Sequence, residues 1–290
     1  MAKIVARMRG GLGNQLFILA YAYALAEQGG KETEIVLDTR EYETFKIRNY
    51  ELKEVIRDPR VRMYTDQDKS RFYDLTREMF HISQRLIRKE TGSIRMLSGM
   101  GLYYGRRNAE FCKLKSKKKN YIYGYFQDER IAGALKKRIG KELVLPEVEV
   151  PGEENERPRI AVSIRIGQDY RDQGWPICEA AYFQKGIQHI RKQKYPGQKV
   201  DVLVFSDEPE QTKTMNLAED VYFAEGLSPT EQLALMAKCD DFVISNSSFS
   251  WWGAYLGAKE DSIVVMPEDW YQWHGKTADT KLVYRNAVIL

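Results

Sequence analysis

The strongest constraint on the fold sits at the N-terminus. Lys3 to Met8 is short, apolar and basic, and reads as a strand. Gly10-Gly11-Leu12-Gly13-Asn14-Gln15 follows at once, then the Ala-rich apolar run Leu16 to Glu27, which favours a helix, then Glu34 to Asp38 as a second strand. Strand, Gly-rich turn, helix and strand in that order predict a β-loop-α-β unit. Such units build parallel sheets covered by helices on both faces.

The alternation resumes later in the chain. Arg159 to Arg165, Val200 to Ser206, Asp241 to Ser245 and Ser262 to Met266 read as strands. Ala180 to Gln193, Pro229 to Lys238 and a helix opening at Ser250 lie between them, and Ser228 with Glu231 fits a capping box. Between the two series, residues 146–158 (PEVEVPGEENERP) are rich in Pro and Glu and lack periodicity, the pattern of a linker. The chain has 290 residues, enough for two medium domains, expected at 1–150 and 151–290. Charge divides there too. Residues 1–150 carry 30 Lys+Arg against 20 Asp+Glu, and residues 151–290 carry 15 against 21.

In the first half, apolar positions Phe72, Leu75, Met79, Phe80, Ile82, Leu86 and Ile87 recur at helical spacing within 66–95, predicting one or two amphipathic helices. Tyr121 to Phe126 reads as an aromatic strand, with Gln127-Asp128-Glu129 placed to cap the following helix. Cys112, Cys178 and Cys239 lie far apart, and so do His81, His189 and His274, which argues against a disulfide framework, a structural zinc site or a His-rich metal centre. The first residues lack a signal-peptide core and no run of ~18 apolar residues occurs. The expected location is the cytoplasm.

Three segments can carry chemistry. Gly10 to Gln15 lies between a strand end and a helix start, where glycines let a ligand approach the backbone and free N–H groups face it. The same glycines can also serve only as a β-α turn. The spacing is neither G-x-G-x-x-G nor a P-loop, which disfavours a dinucleotide oxidoreductase. Ser163 to Tyr170 follows a strand at its carboxyl end, where ligands of parallel sheets bind. There Arg165 can grip a diphosphate and Asp169 can accept hydrogen bonds from a base or ribose, or the two can simply pair with each other. Ser245-Asn246-Ser247-Ser248-Phe249-Ser250 precedes a helix. One serine suffices for an N-cap, and four with an Asn in six positions exceed that need. Trp251 and Trp252 read as packing between helix and sheet.

These segments resemble glycosyltransferase family 11, the alpha-1,2-fucosyltransferases. The resemblance rests on GGLGNQLF at Gly10–Phe17, GYFQD at Gly124–Asp128 and SNSSFSWWGAYL at Ser245–Leu256, and it runs from residue 3 to about residue 272. The middle motif departs from the family's H-x-R-R-G-D-Y. Ser163 stands for the His, Ile166 for the second Arg, and one extra residue precedes Asp169. In that respect it is closer to the protein O-fucosyltransferases, whose Arg, Asp, Ser-Ser-Phe and glycine-loop Asn match Arg165, Asp169, Ser247-Ser248-Phe249 and Asn14.

The resemblance implies an α/β, GT-B-like fold of two Rossmann-type parallel-sheet halves facing a cleft. The N-terminal half would take the acceptor and the C-terminal half the nucleotide sugar. The implied activity is inverting transfer of L-fucose from GDP-β-L-fucose to a sugar hydroxyl, the 2-OH of a galactoside or of a lipid-linked glycan. Arg165 and Asn14 are then catalytic, and Gly10, Gly11, Gly13, Asp169, Ser247, Ser248 and Phe249 bind the donor. No metal or other cofactor is expected, because Asp66-Gln67-Asp68, the one D-x-D triplet weighed, reads as a helix cap. Asp38 and Glu41 are candidate general bases, alongside no dedicated base at all. His81 and His274 read as surface or packing residues. The basic run Arg106-Arg107 and Lys113 to Lys119 reads as a solvated face or as a contact with an anionic membrane. Nucleic acid is not an expected partner, since no nucleic-acid-binding motif is present. The alternatives are the same fold acting on another nucleotide-deoxysugar, or a non-catalytic nucleotide- or glycan-binding module.

Overall fold

In a computed structural model the described residues are 2–29, 33–44, 47–86, 99–105, 119–272 and 275–290. Expectations that fall on Ile87 and the rest of 87–95, on Arg106-Arg107, Cys112 and Lys113 to Lys118, on His274, and on the side chains of His81 and Leu86 lie outside them. The chain forms two compact units, Met1–Val144 and Leu145–Leu290.

The first unit contains β1 (Lys3–Arg7), α1 (Leu12–Gly29), β2 (Glu34–Asp38), α2 (Glu41–Thr44), β3 (Val61–Met63), α3 (Arg71–Leu86), β4 (Leu102–Tyr104), β5 (Lys119–Tyr123) and α4 (Glu129–Lys136). Its five strands run parallel in the order β3-β2-β1-β5-β4. Residues 16–23 of α1 are all fully buried, as a helix apolar on every side must be, and α4 packs against it.

The aromatic strand ends at Tyr123, short of the expected Phe126. Gly124 has φ +148° and Phe126 has φ +50°, so the chain leaves extended geometry there. Helix α3 turns inward only one of the described positions of its apolar spacing, Phe80, together with Tyr73. Tyr73 and Phe80 are buried against Tyr104, Tyr121 and Tyr123 of the sheet. Phe72, Leu75, Met79 and Ile82 are 48–60% exposed. The triplet Asp66-Gln67-Asp68 forms a 3-10 turn capped by Thr65, and the buried Asp68 accepts from Lys3 (2.9 Å) and Arg62 (2.7 and 2.9 Å).

The second unit contains β6 (Arg159–Ile164), α5 (Gln168–Asp172), α6 (Ala180–Lys194), β7 (Asp201–Ser206), α7 (Pro209–Lys213), β8 (Val221–Phe223), α8 (Pro229–Met236), β9 (Asp241–Ile244), α9 (Ser248–Gly257), β10 (Val264–Met266), β11 (Asp269–Tyr271), β12 (Gly275–Lys276) and β13 (Ala287–Ile289). Six strands run parallel in the order β13-β10-β9-β6-β7-β8. Phe183, Ile187 and Ile190 of α6 cover Ile160, Val162, Val202 and Val243 on one face. Gly186 lets α6 close on the sheet, since a Cβ there would stand 2.6 Å from Val243. On α9, Trp251 and Trp252 are fully buried. The Trp251 ring stacks on Tyr255 and Tyr284, and its Nε1 donates to the Leu282 carbonyl (2.7 Å), so this tryptophan is a packing residue. The capping box is present, with Ser228 N donating to Glu231 (2.7 Å) and Glu231 N to Ser228 Oγ (3.3 Å). Residues 146–158 fall inside the second unit, where Lys238 Nζ donates to the Val148 carbonyl (2.9 Å). Both units are thus Rossmann-type, and the fold is GT-B-like. Among the described residues no helix is long and apolar enough to cross a membrane.

Candidate active site

Each sheet reverses its direction of growth at one point. In the first, β1-β2-β3 extend one way and β5-β4 the other, so the crevice opens between β1 and β5. In the second, β6-β7-β8 and β9-β10-β13 diverge, so the crevice opens between β6 and β9. Open parallel sheets bind ligands at such points, beyond the carboxyl ends of the strands. The residues expected to be catalytic or to bind the donor lie in loops or helix starts at these two places, whereas the candidate bases Asp38 and Glu41 follow β2.

In the second unit Arg165 follows β6. Its Nη2 donates to both Asp169 oxygens (2.7 and 2.6 Å), its Nη1 bonds to Asp207, and its guanidinium carbon lies 4.9 Å from the Tyr170 ring centre. The Arg165–Asp169 pair left open by the sequence is therefore formed. Asp207 was not among the residues the sequence singled out. It follows β7, next to β6, and also accepts from the backbone N–H groups of Ile166 (3.0 Å) and Gly167 (2.8 Å). A carboxylate just past a strand neighbouring the Arg loop was the signal that could have found it. Gly167 has room only for hydrogen, since a Cβ there would overlap the Asp207 carboxylate.

Across the same crevice, α9 begins at Ser248, two residues before the expected start, with Ser247 as N-cap. The four serines divide by role. Ser245 Oγ accepts from Arg165 N (2.9 Å) and Ser250 Oγ bonds Ser163 Oγ (2.7 Å), so these two join β9 and α9 to β6. Ser247 does not cap α9 with its side chain, and neither its hydroxyl nor that of Ser248 bonds any described residue. Two hydroxyls and the open N–H groups of a helix's first turn are groups chemically able to hold an anion. Phe249 is half-exposed and shares no ring contact with another aromatic side chain among the described residues. Tyr170 ties the two loops together by donating to the Asn246 carbonyl (2.7 Å).

In the first unit Gly10 has φ +72°, which favours glycine, and its carbonyl accepts from Gln15 Nε2 (3.0 Å) and Tyr42 Oη (2.8 Å). Gly11 is half-exposed and Gly13 is buried in the first turn of α1. Gln15, which follows Asn14 at the end of the Gly-rich segment, is fully buried and structural. It also donates to the Asn49 carbonyl (2.7 Å) and accepts from Glu51 N (2.9 Å). Asn14 is half-exposed, and its Oδ1 accepts from Gln127 Nε2 (2.9 Å). The GYFQD segment thereby divides into separate tasks. Gly124 sits against Gly105 where a Cβ would overlap its carbonyl. Phe126 holds a positive φ costing on the order of 1–3 kcal/mol and stacks on Tyr21 at 4.0 Å. Gln127 reaches Asn14, and Asp128 caps α4 by accepting from Arg130 N (3.0 Å).

Of the candidate bases, Asp38 is unsuited to the role. It is fully buried and accepts from Arg7 (2.9 Å), twice from the Arg40 side chain (2.9 and 2.7 Å) and once from the Arg40 backbone N–H (3.2 Å). Burial opposes its charge, but the Arg40 hydrogen bonds and the charges of Arg7 and Arg40 outweigh it and hold the pKa below the usual value. Glu41 lies 3.1 Å from Arg9 Nε and 3.7 Å from Arg7 Nε, at the same end of the sheet.

Known proteins agree with this architecture. The O-antigen biosynthesis glycosyltransferase WbnK of Escherichia coli is 26% identical over 93% of this chain and 95% of its own length. An alpha-1,2-colitosyltransferase of Escherichia coli is 27% identical over 94% and 93%. Among solved structures, the fucosyltransferase NodZ from Bradyrhizobium superposes with a TM-score of 0.54 at 15% identity, covering 88% of this chain and 93% of NodZ. NodZ has also been crystallized with GDP and soaked with GDP-fucose. The model of Glycosyl transferase family 11 matches residues 3–286, and the chain belongs to that family of glycosyltransferases.

Proposed function

We propose that this glycosyltransferase moves L-fucose from GDP-β-L-fucose to a sugar hydroxyl with inversion. The second unit would hold the donor and the first the acceptor, a galactoside or a lipid-linked glycan. The observation that carries the reading is the crevice between β6 and β9, with Arg165 on one side and the uncommitted Ser247 and Ser248 hydroxyls on the other. A cation opposite a helix N-terminus suits a diphosphate leaving group. The ligands of NodZ support GDP as the nucleotide.

In the proposed reaction the acceptor oxygen bonds to C1 of fucose as the bond from C1 to the β-phosphate oxygen breaks. GDP departs with the electron pair, and the acceptor proton passes to a base or to solvent. Arg165 and the first turn of α9 stabilise the charge that develops on the diphosphate. Asp169 holds guanine once the diphosphate has taken its place on Arg165, while Asp207 keeps the guanidinium oriented. Phe249 packs beside the nucleotide, and Asn14 offers its amide to a substrate oxygen. Because Arg165 and the helix terminus carry the leaving-group charge, turnover is expected to persist in excess EDTA; restoration of lost activity by Mg²⁺ or Mn²⁺ would reject that part.

A second reading is favoured by the relative named as a colitosyltransferase, together with the departures at Ser163, Ile166 and Gln168: the same chemistry with another GDP-linked deoxysugar. Purified protein incubated with GDP-fucose and a β-galactoside, followed by mass spectrometry of the glycan, tests the first reading. Transfer supports it. Stabilisation by GDP without fucose transfer moves the assignment to the second. No stabilisation by GDP defeats both.

A further inference from the structure

Beyond the residues that would touch substrate, we infer that Gln127 is a positioning residue that fixes which end of the Asn14 amide faces outward. The inference rests on the proposal that the β1/β5 crevice takes part in transfer.

A carboxamide is nearly symmetrical in shape but opposite in chemistry at its two ends. Gln127 Nε2 donates to Asn14 Oδ1 at 2.9 Å, which commits the acceptor end. The Asn14 Nδ2 has no partner among the described residues and lies over Gly10, where a Cβ would come within 2.8 Å of it. Gly10 therefore provides both the left-handed turn and the space into which the amide nitrogen settles. Asn14 is half-exposed at the first turn of α1, so Nδ2 is an oriented donor open to a ligand oxygen.

Gln127 is itself held from both sides. Phe126 takes φ +50° with its ring stacked on Tyr21, and Asp128 is fixed as the cap of α4. The two loops that meet here follow β1 and β5, the strands on either side of the first sheet's crevice. A strained, anchored backbone that ends in one side chain directed at another is what orientation of a functional group requires. The ligand atom is an oxygen with free lone pairs, supplied either by the donor phosphate or by an acceptor hydroxyl.

The test compares Gln127→Glu, Gln127→Ala, Asn14→Ala and the Asn14→Ala/Gln127→Ala double variant, with kcat and KM measured for GDP-fucose and for the acceptor. Glutamate has the shape of glutamine but only accepts, so Asn14 must turn Nδ2 toward it and present Oδ1. Gln127→Glu and Gln127→Ala are expected to lower kcat about 10- to 100-fold at temperatures well below the Tm of each variant, where all are folded. In the Asn14→Ala background the Gln127→Ala change is expected to cost less than about twofold. A rise in KM for GDP-fucose assigns the oxygen to the donor, and a rise for the acceptor assigns it to the hydroxyl. Wild-type kcat in both Gln127 variants, or equal losses in both backgrounds, overturns the inference. A readout independent of turnover separates it from the functional reading. In protein labelled with ¹⁵N-asparagine, the Asn14 side-chain amide resonances are expected to shift in Gln127→Glu as Nδ2 engages a carboxylate. Identical resonances in wild type and variant refute the orientation whatever the donor proves to be.

Discussion

Replacing Arg165 with alanine separates two roles of one guanidinium. In the free chain it lies between Asp169 and Asp207, whose side chains are 35% and 21% exposed. Its removal leaves two carboxylates that water can reach, and Asp207 keeps its backbone donors from Ile166 and Gly167. The stability loss should therefore be that of a partly exposed ion pair, about 1 kcal/mol. In a unit of this size that lowers Tm by about 2–4 °C. The kinetic loss has a different origin. If the guanidinium meets the departing diphosphate, its charge contributes about 3–5 kcal/mol in the transition state, or about 10²- to 10⁴-fold in kcat. Arg165→Lys retains the charge without the planar fork that engages Asp169 through Nη2 and Asp207 through Nη1, and should fall between alanine and wild type. The assay is GDP release with fucose transfer, read beside thermal unfolding of each variant. An alanine variant that turns over within about fivefold of wild type would refute the argument, because no effect of ~3 kcal/mol could hide there. So would a loss of activity that merely tracks a large fall in Tm.

Three further outcomes are expected. Ser247→Ala and Ser248→Ala should each raise KM for the donor by about two- to tenfold, the worth of one hydrogen bond, and leave Tm unchanged because neither hydroxyl caps the helix; Ser228→Ala, which removes a working cap, should instead cost about 1 kcal/mol of stability. The buried carboxylates Asp38, Asp58 and Asp68 of the first unit all have pKa values lowered in the fold, so the stability they contribute is fully present above their unfolded value near 3.8 and is lost as pH falls through the lower folded values. Urea midpoints followed by circular dichroism should be flat in this respect above about pH 5 and fall steeply below pH ~4, less steeply in Asp68→Asn. Cys178 and Cys239 are buried, and burial pushes the Cys178 thiol up to about 12, so both should resist a thiol reagent in the native protein and react on unfolding, as peptide mapping of the labelled sites would show; modification of either at neutral pH without unfolding contradicts the packing.

The sequence made local features legible and left the pairing between distant segments hidden. The β-loop-α-β start, the parallel character of both sheets and the Ser228 capping box could be read from spacing alone, because each depends on neighbours along the chain. Asn14 and Gln15 could not be told apart in that way. They are successive amides on one helix turn, about 100° apart around its axis. Only the position of Asn49, Glu51 and Gln127 makes one a buried bracket and the other an outward donor. The serines after β9 divide by the same logic, since Ser163 and the Arg165 amide decide which two are committed. The apolar spacing of α3 fixed its helicity but only in part its facing, because Phe80 turns inward with Tyr73 onto an aromatic surface of β4 and β5 while Phe72, Leu75, Met79 and Ile82 stay exposed.

The two crevices share a physical design that also explains why the sequence marked Asn14, Arg165 and Gln127 as parts of motifs but left the Gln127–Asn14 pairing and Asp207 unseen. A polar side chain beyond the end of a parallel strand stands in a loop, where lost rotamer freedom opposes any fixed geometry. Holding it in place before a ligand arrives requires a partner from the neighbouring strand's loop. In the first sheet the partner comes from the β5 side, as Gln127 holds Asn14. In the second it comes from the β7 side, as Asp207 holds Arg165 and takes two backbone amides from the same loop. The partners differ as their tasks differ. An amide needs its two ends distinguished, which a single donor accomplishes. A guanidinium needs its plane fixed without losing its charge to the ligand, which a carboxylate already engaged by backbone N–H groups can do. On this reasoning Asp207→Asn should weaken transfer less than Arg165→Ala, because an asparagine can still accept from one of the amides and from Arg165. It should also lower KM for the donor if the second negative charge competes with the diphosphate. A higher donor KM in Asp207→Asn would show that the orientation Asp207 gives Arg165 outweighs any competition with the diphosphate.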